Sequence, residues 1–149
     1  MRSILGAAIE EEADVTLVDM EAGLEHLSRS GGTLAYADVL LVIMEPSRKS
    51  ILTAGRTIVL AEQLGLTRVY GVGNKAQLPD DAEFFTTVAA EYNVPLAGIV
   101  PEDPDVVEAD RSGTPLAPGR AEPVRRAVES VIDFVDGALQ TADSSSRGR

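Results

Sequence analysis

The 149-residue sequence has no cysteine, no tryptophan, one histidine, and only three tyrosines and three phenylalanines. Without cysteine there can be no disulfide, no thiolate metal site and no thiol nucleophile. With aromatics at 4%, the core must rest on Val, Leu, Ile and Ala. Positive charge is also scarce: 13 Lys and Arg stand against 24 Asp and Glu, a formal net charge of −11. Binding a nucleic-acid backbone needs clustered cations that release counterions, so this balance argues against a nucleic-acid partner. No apolar run approaches the roughly 18 residues of a membrane-crossing helix, and the start has no signal-peptide core. The reading is therefore a cytoplasmic protein without a membrane span. One motif is missing as well. The loop G-x-x-x-x-G-K-[ST], whose backbone amides cradle phosphates between a strand and a helix, has no counterpart, and Met1 to Asp14 leaves little room for one upstream of the first strand.

What is present is the pattern of one α/β domain. A hydrophobic content of 44% suits a globular chain of this length. Apolar runs at Val15–Val18, Asp38–Met44, Arg68–Val72 and Leu96–Val100 read as buried strands, each followed by turn chemistry: Glu45-Pro46-Ser47, Gly73-Asn74 or Pro101-Glu102-Asp103. Helical periodicity is clearest at Ser47–Leu64, Asp80–Tyr92 and Glu122–Leu139, and residues 3–13 read as the end of an amphipathic helix. Ser47 is placed to cap the first of these, Gly65 to let it exit left-handed, and Asp80-Asp81 to meet the positive end of the next. Arg111–Arg120, with two prolines and two glycines, reads as a loop after a short turn at Val106–Asp110. Continuous apolar strands alternating with helices predict a mostly parallel sheet covered on both faces, a three-layer α/β/α domain over residues 1–140 with a flexible tail at 141–149.

The stretch Val15–Leu27 carries most of the chemistry. It reads as a strand ending on Asp19 and opening into a loop with Gly23, an arrangement suited to holding Mg²⁺ and a terminal phosphate. The plainer alternative is that Asp19 caps the following turn. Asn74 and Lys75 follow a strand, where an asparagine amide can both donate to and accept from a ligand edge and a lysine stem can pack on it; an ordinary Gly-Asn turn is the alternative. His26, the only histidine, lacks the companions of a transition-metal site and reads as a packing or contact residue.

Taken in order, Asp19-Met20-Glu21-Ala22-Gly23-Leu24-Glu25-His26-Leu27, then Glu45-Pro46-Ser47 with Ser50-Ile51 and Thr53-Ala54, then Gly73-Asn74-Lys75, then Pro101-Glu102-Asp103, the set resembles the carboxyl-terminal portion of a MinD/ParA-type P-loop ATPase. Within that group it most resembles the CooC type, which serves carbon monoxide dehydrogenase maturation by nickel insertion. The resemblance runs from the opening helix to about Pro115. It implies a P-loop NTPase fold of the SIMIBI type lacking its P-loop strand, with ATP and Mg²⁺ as the ancestral ligands. On this resemblance Asp19, Ala22 and Gly23 match the switch element: Asp19 would face Mg²⁺-bound water or the attacking water, and the Gly23 amide would face the γ-phosphate. Asn74 and Lys75 match the adenine side of the site, and Pro101, Glu102 and Asp103 the loop that closes over the base. The family's P-loop lysines and the Cys-x-Cys pair of the nickel-insertion members have no counterpart.

These readings lead to a partial MinD/ParA-like, CooC-type nucleotide-binding chain that does not hydrolyse ATP unaided. Its partners would be a second polypeptide carrying the P-loop half, or another copy, and a metalloenzyme client. The alternative class is a nonenzymatic interaction module that binds a partner ATPase or the maturation target. A receiver-like domain with Asp19 as phosphoacceptor fits less well, because no acidic pair stands at an earlier strand end. In the family's sheet the P-loop strand separates the strands at 15–18 and 38–44, so the expectation is a sheet whose gap is narrowed or partly open.

Overall fold

The computed structural model describes residues 15–20, 37–77 and 79–146. The described chain runs β1 (Leu40–Met44), α1 (Arg48–Gln63), β2 (Val69–Ala76), α2 (Asp80–Glu91), β3 (Leu96–Pro101), α3 (Pro104–Ser112) and α4 (Glu122–Ser146). All three strands are parallel and lie in the order β1-β2-β3, with Leu40 opposite Val69, Met44 opposite Gly73, and Gly71 opposite Leu96. Right-handed crossovers then put α1 and α2 on one face. The last helix, α4, packs on β3, giving the third layer.

Helix ends follow local chemistry. Ser47 is the N-cap of α1, its Oγ accepting from the Ser50 N–H at 3.2 Å, and Gly65 leaves the helix at φ 92°. Asp80, Asp81 and Glu83 occupy the first turn of α2, where the helix dipole favours acidic groups. What read as a short turn at Val106–Asp110 is a full helix, α3, because Asp103 caps it through the Asp105 N–H at 2.9 Å and Gly113 ends it at φ 63°. The final helix continues to Ser146, past the Leu139 at which its apolar pattern stops, since neither proline nor a cap interrupts it.

The main core lies between the sheet and α1/α2. Met44, Ile51 and Phe85 are fully enclosed there, with Ala54, Ala61, Val69, Val88 and Val94 around them. Two strand glycines allow this contact. A Cβ on Gly73 would lie 2.9 Å from the Phe85 ring, and one on Gly71 would lie 2.6 Å from both Met44 and Val94. On the opposite face Gly98 admits Val131 of α4, and Phe134 meets Tyr70 edge-on with ring centroids 4.8 Å apart.

One expectation is overturned. Val15–Val18 is neither a strand nor buried: Val15 is 80% and Leu17 93% exposed. Burial of such a segment requires a hydrogen-bonded neighbour, and among the described residues no strand lies beside it; the sheet stops at β1. Direct pairing of 15–18 with β1 does not occur. Met20, at the end of the segment, does pack against the core. Alternation along β1 turns Leu40, Val42 and Met44 into the core and leaves Ile43 58% exposed on the other face. The helix predicted at residues 3–13 lies outside the described residues.

Because Phe85 fills the space over Gly73, Phe85→Ala is expected to lower unfolding free energy by about 3–5 kcal/mol in a urea titration. A loss under about 1 kcal/mol would show that α2 is not seated on β2 as described.

Candidate functional site

Parallel strands end on the same side of a sheet, and the crevice beyond their carboxyl ends is where open α/β sheets bind ligands. Here that edge is made by Glu45-Pro46-Ser47 after β1, Asn74 to Gln77 at the end of β2, and Pro101-Glu102-Asp103 after β3. Side chains and backbone tie the three together. Lys75 Nζ lies 2.7 Å from Glu45 Oε1, Gln77 Nε2 donates to Glu102 Oε2 at 3.0 Å, and the Glu102 N–H donates to the Ala76 carbonyl at 2.9 Å. Gln77 is further held by its N–H donating to Asp81 Oδ2 at 2.7 Å. Glu45 is fixed from behind, its N–H donating to Ser50 Oγ at 3.0 Å.

Asn74 and Lys75 do not sit in a turn, as the sequence suggested. They lie inside β2, which continues to Ala76. Gly73 pairs with Ile99 and Ala76 with Pro101, so β2 carries one more residue than β3 in this interval. This is a bulge, and such bulges re-aim side chains beside sites. Lys75 takes the left-handed conformation at φ 57°, and its N–H donates to Asn74 Oδ1 at 2.9 Å. A turn reading failed because Gly73-Asn74 has turn composition, whereas pairing with β3 decides the backbone.

Lys75 titrates above the ordinary lysine value of 10.5, first through its hydrogen bond to Glu45, then through that carboxylate's charge, with Glu102 and Asp110 adding smaller attraction and burial opposing. The pair is exposed on both sides, 61% and 62%, so solvent screens it heavily. Asp103 caps α3, and Asp105 beside it pairs with Arg120 at 2.6 Å, which anchors the loop before α4.

The structure thus brings together Asn74, Lys75, Pro101, Glu102 and Asp103 along one edge. Asp19 is exposed, and among the described residues no hydrogen bond or ion pair joins it to them. Gly23, Ala22 and His26 lie outside the described residues. Glu45 as the partner of Lys75, and Gln77 as the link to Glu102, were not singled out from sequence. Thirty residues separate Glu45 from Lys75; the available signal was that successive parallel strands end side by side.

The residues fit the two ancestral ligands unequally. Uncharged polar groups at Asn74 and Gln77 suit a heterocyclic base. Among the described residues no group of three or more His, Asp or Glu could hold a metal; Asp19 could supply one carboxylate to Mg²⁺, an ion that otherwise takes waters and phosphate oxygens.

This architecture is that of a P-loop NTPase of the MinD type, over part of its length. The cell-division ATPase MinD of Pyrococcus furiosus superposes with a TM-score of 0.68 at 20% identity, covering 88% of this chain and 55% of that one. Aquifex aeolicus MinD gives 0.59 at 21% identity, over 70% and 46%. No protein-family model matches the chain. Sequence comparison reaches further than fold. The chain is homologous to MinD/ParA-like ATP-binding proteins: it is 33% identical over 113 residues to the carbon monoxide dehydrogenase accessory protein CooC of Rhodospirillum rubrum, covering 76% of this chain and 41% of CooC. An uncharacterized ATP-binding protein of Methanocaldococcus jannaschii is 32% identical over 116 residues, 78% of this chain and 44% of that one. The chain therefore spans about two-fifths of the length of these curated relatives. Among the described residues no helix is long and apolar enough to cross a membrane.

The raised Lys75 titration has a definite sign. Stabilisation from its pairing is fully present below the unfolded-state lysine pKa and is lost as pH rises through the higher folded value. Glu45→Gln is expected to move the Lys75 ammonium titration down toward 10.5, read by NMR of the lysine side chain. A titration that does not move would show that the pair does not form in solution.

Proposed function

We propose that these residues form the base-side part of a MinD/ParA-like, CooC-type ATP site, and that the chain does not hydrolyse ATP unaided. The observation that supports this most directly is the convergence of Glu45, Asn74, Lys75 and Glu102 on the carboxyl edge of a parallel sheet, in a chain homologous to ATP-binding proteins. Asn74 and Lys75 would contact the base, with Pro101, Glu102 and Asp103 closing over it, while Asp19 and Gly23 would face the phosphates. When bound, Mg²⁺ neutralises charge on the phosphate oxygens. Phosphoryl transfer is mostly positioning and electrostatics, so a chain with no glycine- and lysine-rich phosphate loop lacks the main source of rate. That loop would come from polypeptide outside these 149 residues.

The edge of the described sheet and apolar side chains exposed elsewhere on the chain support a partner. Val15 and Leu17 are exposed apolar side chains, and β1 ends the described sheet with Ile43 exposed. Exposed apolar edges of this kind are pairing sites. By analogy with CooC, the assembled site would serve a metalloenzyme client; a nonenzymatic module that docks on a partner ATPase through the same edge is the second reading.

Calorimetric titration of ATP into the 149-residue chain is expected to show affinity weaker than micromolar and no phosphate release; micromolar binding with turnover would refute the proposal. Adding a polypeptide that carries the phosphate loop is expected to restore both. In that assembly Asp19→Ala should abolish turnover, and Asn74→Ala should reduce preference for ATP over GTP by roughly tenfold, the worth of about one hydrogen bond. Capture of a partner regardless of nucleotide would favour the second reading.

A further inference from the structure

We propose that the carboxyl edge excludes phosphate: Glu45 takes up the charge of Lys75 and, with Glu102, leaves an edge that admits the uncharged base and sugar of a nucleotide and turns its anionic end away. This deepens the base-site reading above and rests on it only for where a nucleotide lies.

A lysine and three helix starts would by themselves make this edge an anion site, since a free ammonium group and the unpaired N–H groups of helix N-termini both draw phosphate. Each of these attractions is already answered within the chain. Lys75 Nζ is bonded to Glu45 Oε1 at 2.7 Å, and Glu102 and Asp110 attract the same ammonium. Asp80, Asp81 and Glu83 occupy the first turn of α2, Asp103 caps α3, and Asp105 stands in the first turn of α3. Of the three helices, α1 alone starts without an acidic residue in its first turn. Glu45 is fastened to that start: its N–H donates to Ser50 Oγ at 3.0 Å and its carbonyl accepts from the Ser47 N–H at 2.7 Å. One residue therefore neutralises Lys75 and places a carboxylate beside the positive end of α1.

The remaining charges do not restore an anion site. Over residues 45–49, 74–81 and 101–105, six carboxylates stand against Arg48, Lys49 and Lys75, and Arg48 is itself paired with Glu91 at 2.6 Å. Glu102 is fixed at the edge, its N–H donating to the Ala76 carbonyl at 2.9 Å and its carboxylate accepting from Gln77 Nε2 at 3.0 Å. Because Gln77 is uncharged, that bond leaves Glu102 its full negative charge. A nucleotide with its base at Asn74 thus meets neutral polar groups at Asn74 and Gln77 and a carboxylate beside them, which sets the direction in which its phosphates lie. On this chain alone, added phosphates lower affinity.

Two NMR measurements on the 149-residue chain test this. Relaxation of backbone amides by a cationic and by an anionic nitroxide of the same size reads the local potential with no ligand present. The cation-to-anion ratio at Lys75 and Glu102 is expected to exceed that at Gly65 and Asn93, which lie at the opposite end of the sheet, by about twofold, and to fall toward theirs in the double variant E45Q/E102Q. Titrations with adenosine and with metal-free ATP, followed at Asn74 to Gln77, are expected to show ATP weaker by roughly threefold or more at about 10 mM salt, the scale of a few unit charges about 10 Å apart in water, with the gap closing near 1 M. Glu45→Gln, which releases the Lys75 ammonium, is expected to bring ATP level with adenosine or ahead of it. Glu62→Gln makes the same charge change at the far end of α1 and is expected to leave the order as it was. An edge no more negative than Gly65 and Asn93, ATP binding at low salt as tightly as adenosine, or equal responses to Glu45→Gln and Glu62→Gln would overturn the proposal. If neither ligand perturbs the edge while the nitroxides report its excess negative potential, the base-site reading fails and the exclusion of anions stands.

Discussion

Everything at the candidate site depends on three strands running in the same direction. Parallel pairing of β1, β2 and β3 places Glu45, the Asn74–Gln77 segment and Glu102 in a row, although each belongs to a different part of the chain. The helices that return the chain between strands occupy one face, and Gly71 and Gly73 let the side chains beneath them close on the sheet. The row of polar groups is therefore supported from behind by Phe85, Met44 and Ile51, the largest of the fully enclosed side chains among the described residues. Rigidity at an exposed edge is inherited from the core below it.

The same architecture is unequal from side to side. Between the sheet and α1/α2 the core is closed, whereas β1 ends the described sheet and leaves Ile43 58% exposed on its other face. Val15 and Leu17 have apolar side chains of the type that makes buried strands, yet they are exposed. Unpaired backbone and bare aliphatic side chains both cost free energy in water relative to a paired and covered state. The polar groups at the carboxyl edge need no such covering, because their supports lie within β1 to α3.

Local features were legible from sequence where a short-range hydrogen bond or a backbone preference decides them. Ser47 as a cap, Gly65 as a left-handed exit and the acidic start of α2 are of this kind, and so is the strand alternation that indicated a parallel α/β sheet. The ordered set of motifs carried the resemblance to MinD/ParA-type proteins, because spacing along the chain preserves it. What failed at Val15–Val18 and Gly73-Asn74 were readings that a neighbouring strand decides. Val15–Val18 has a strand's composition, but a strand is a property of a pair. Gly73-Asn74 has a turn's composition, but pairing with β3 draws it into a bulge.

The amino-acid sequence alone was enough for the class of fold, the helix starts and the kinship with ATP-binding proteins, because periodicity, caps and motif order are written along the chain. It could not say that Glu45 meets Lys75 or that Gln77 meets Glu102. Those facts come from strand registry, which sums weak contacts over the whole sheet and then places side chains dozens of residues apart within 3.0 Å. Lys75, left-handed in the bulge, meets a carboxylate thirty residues away in the chain.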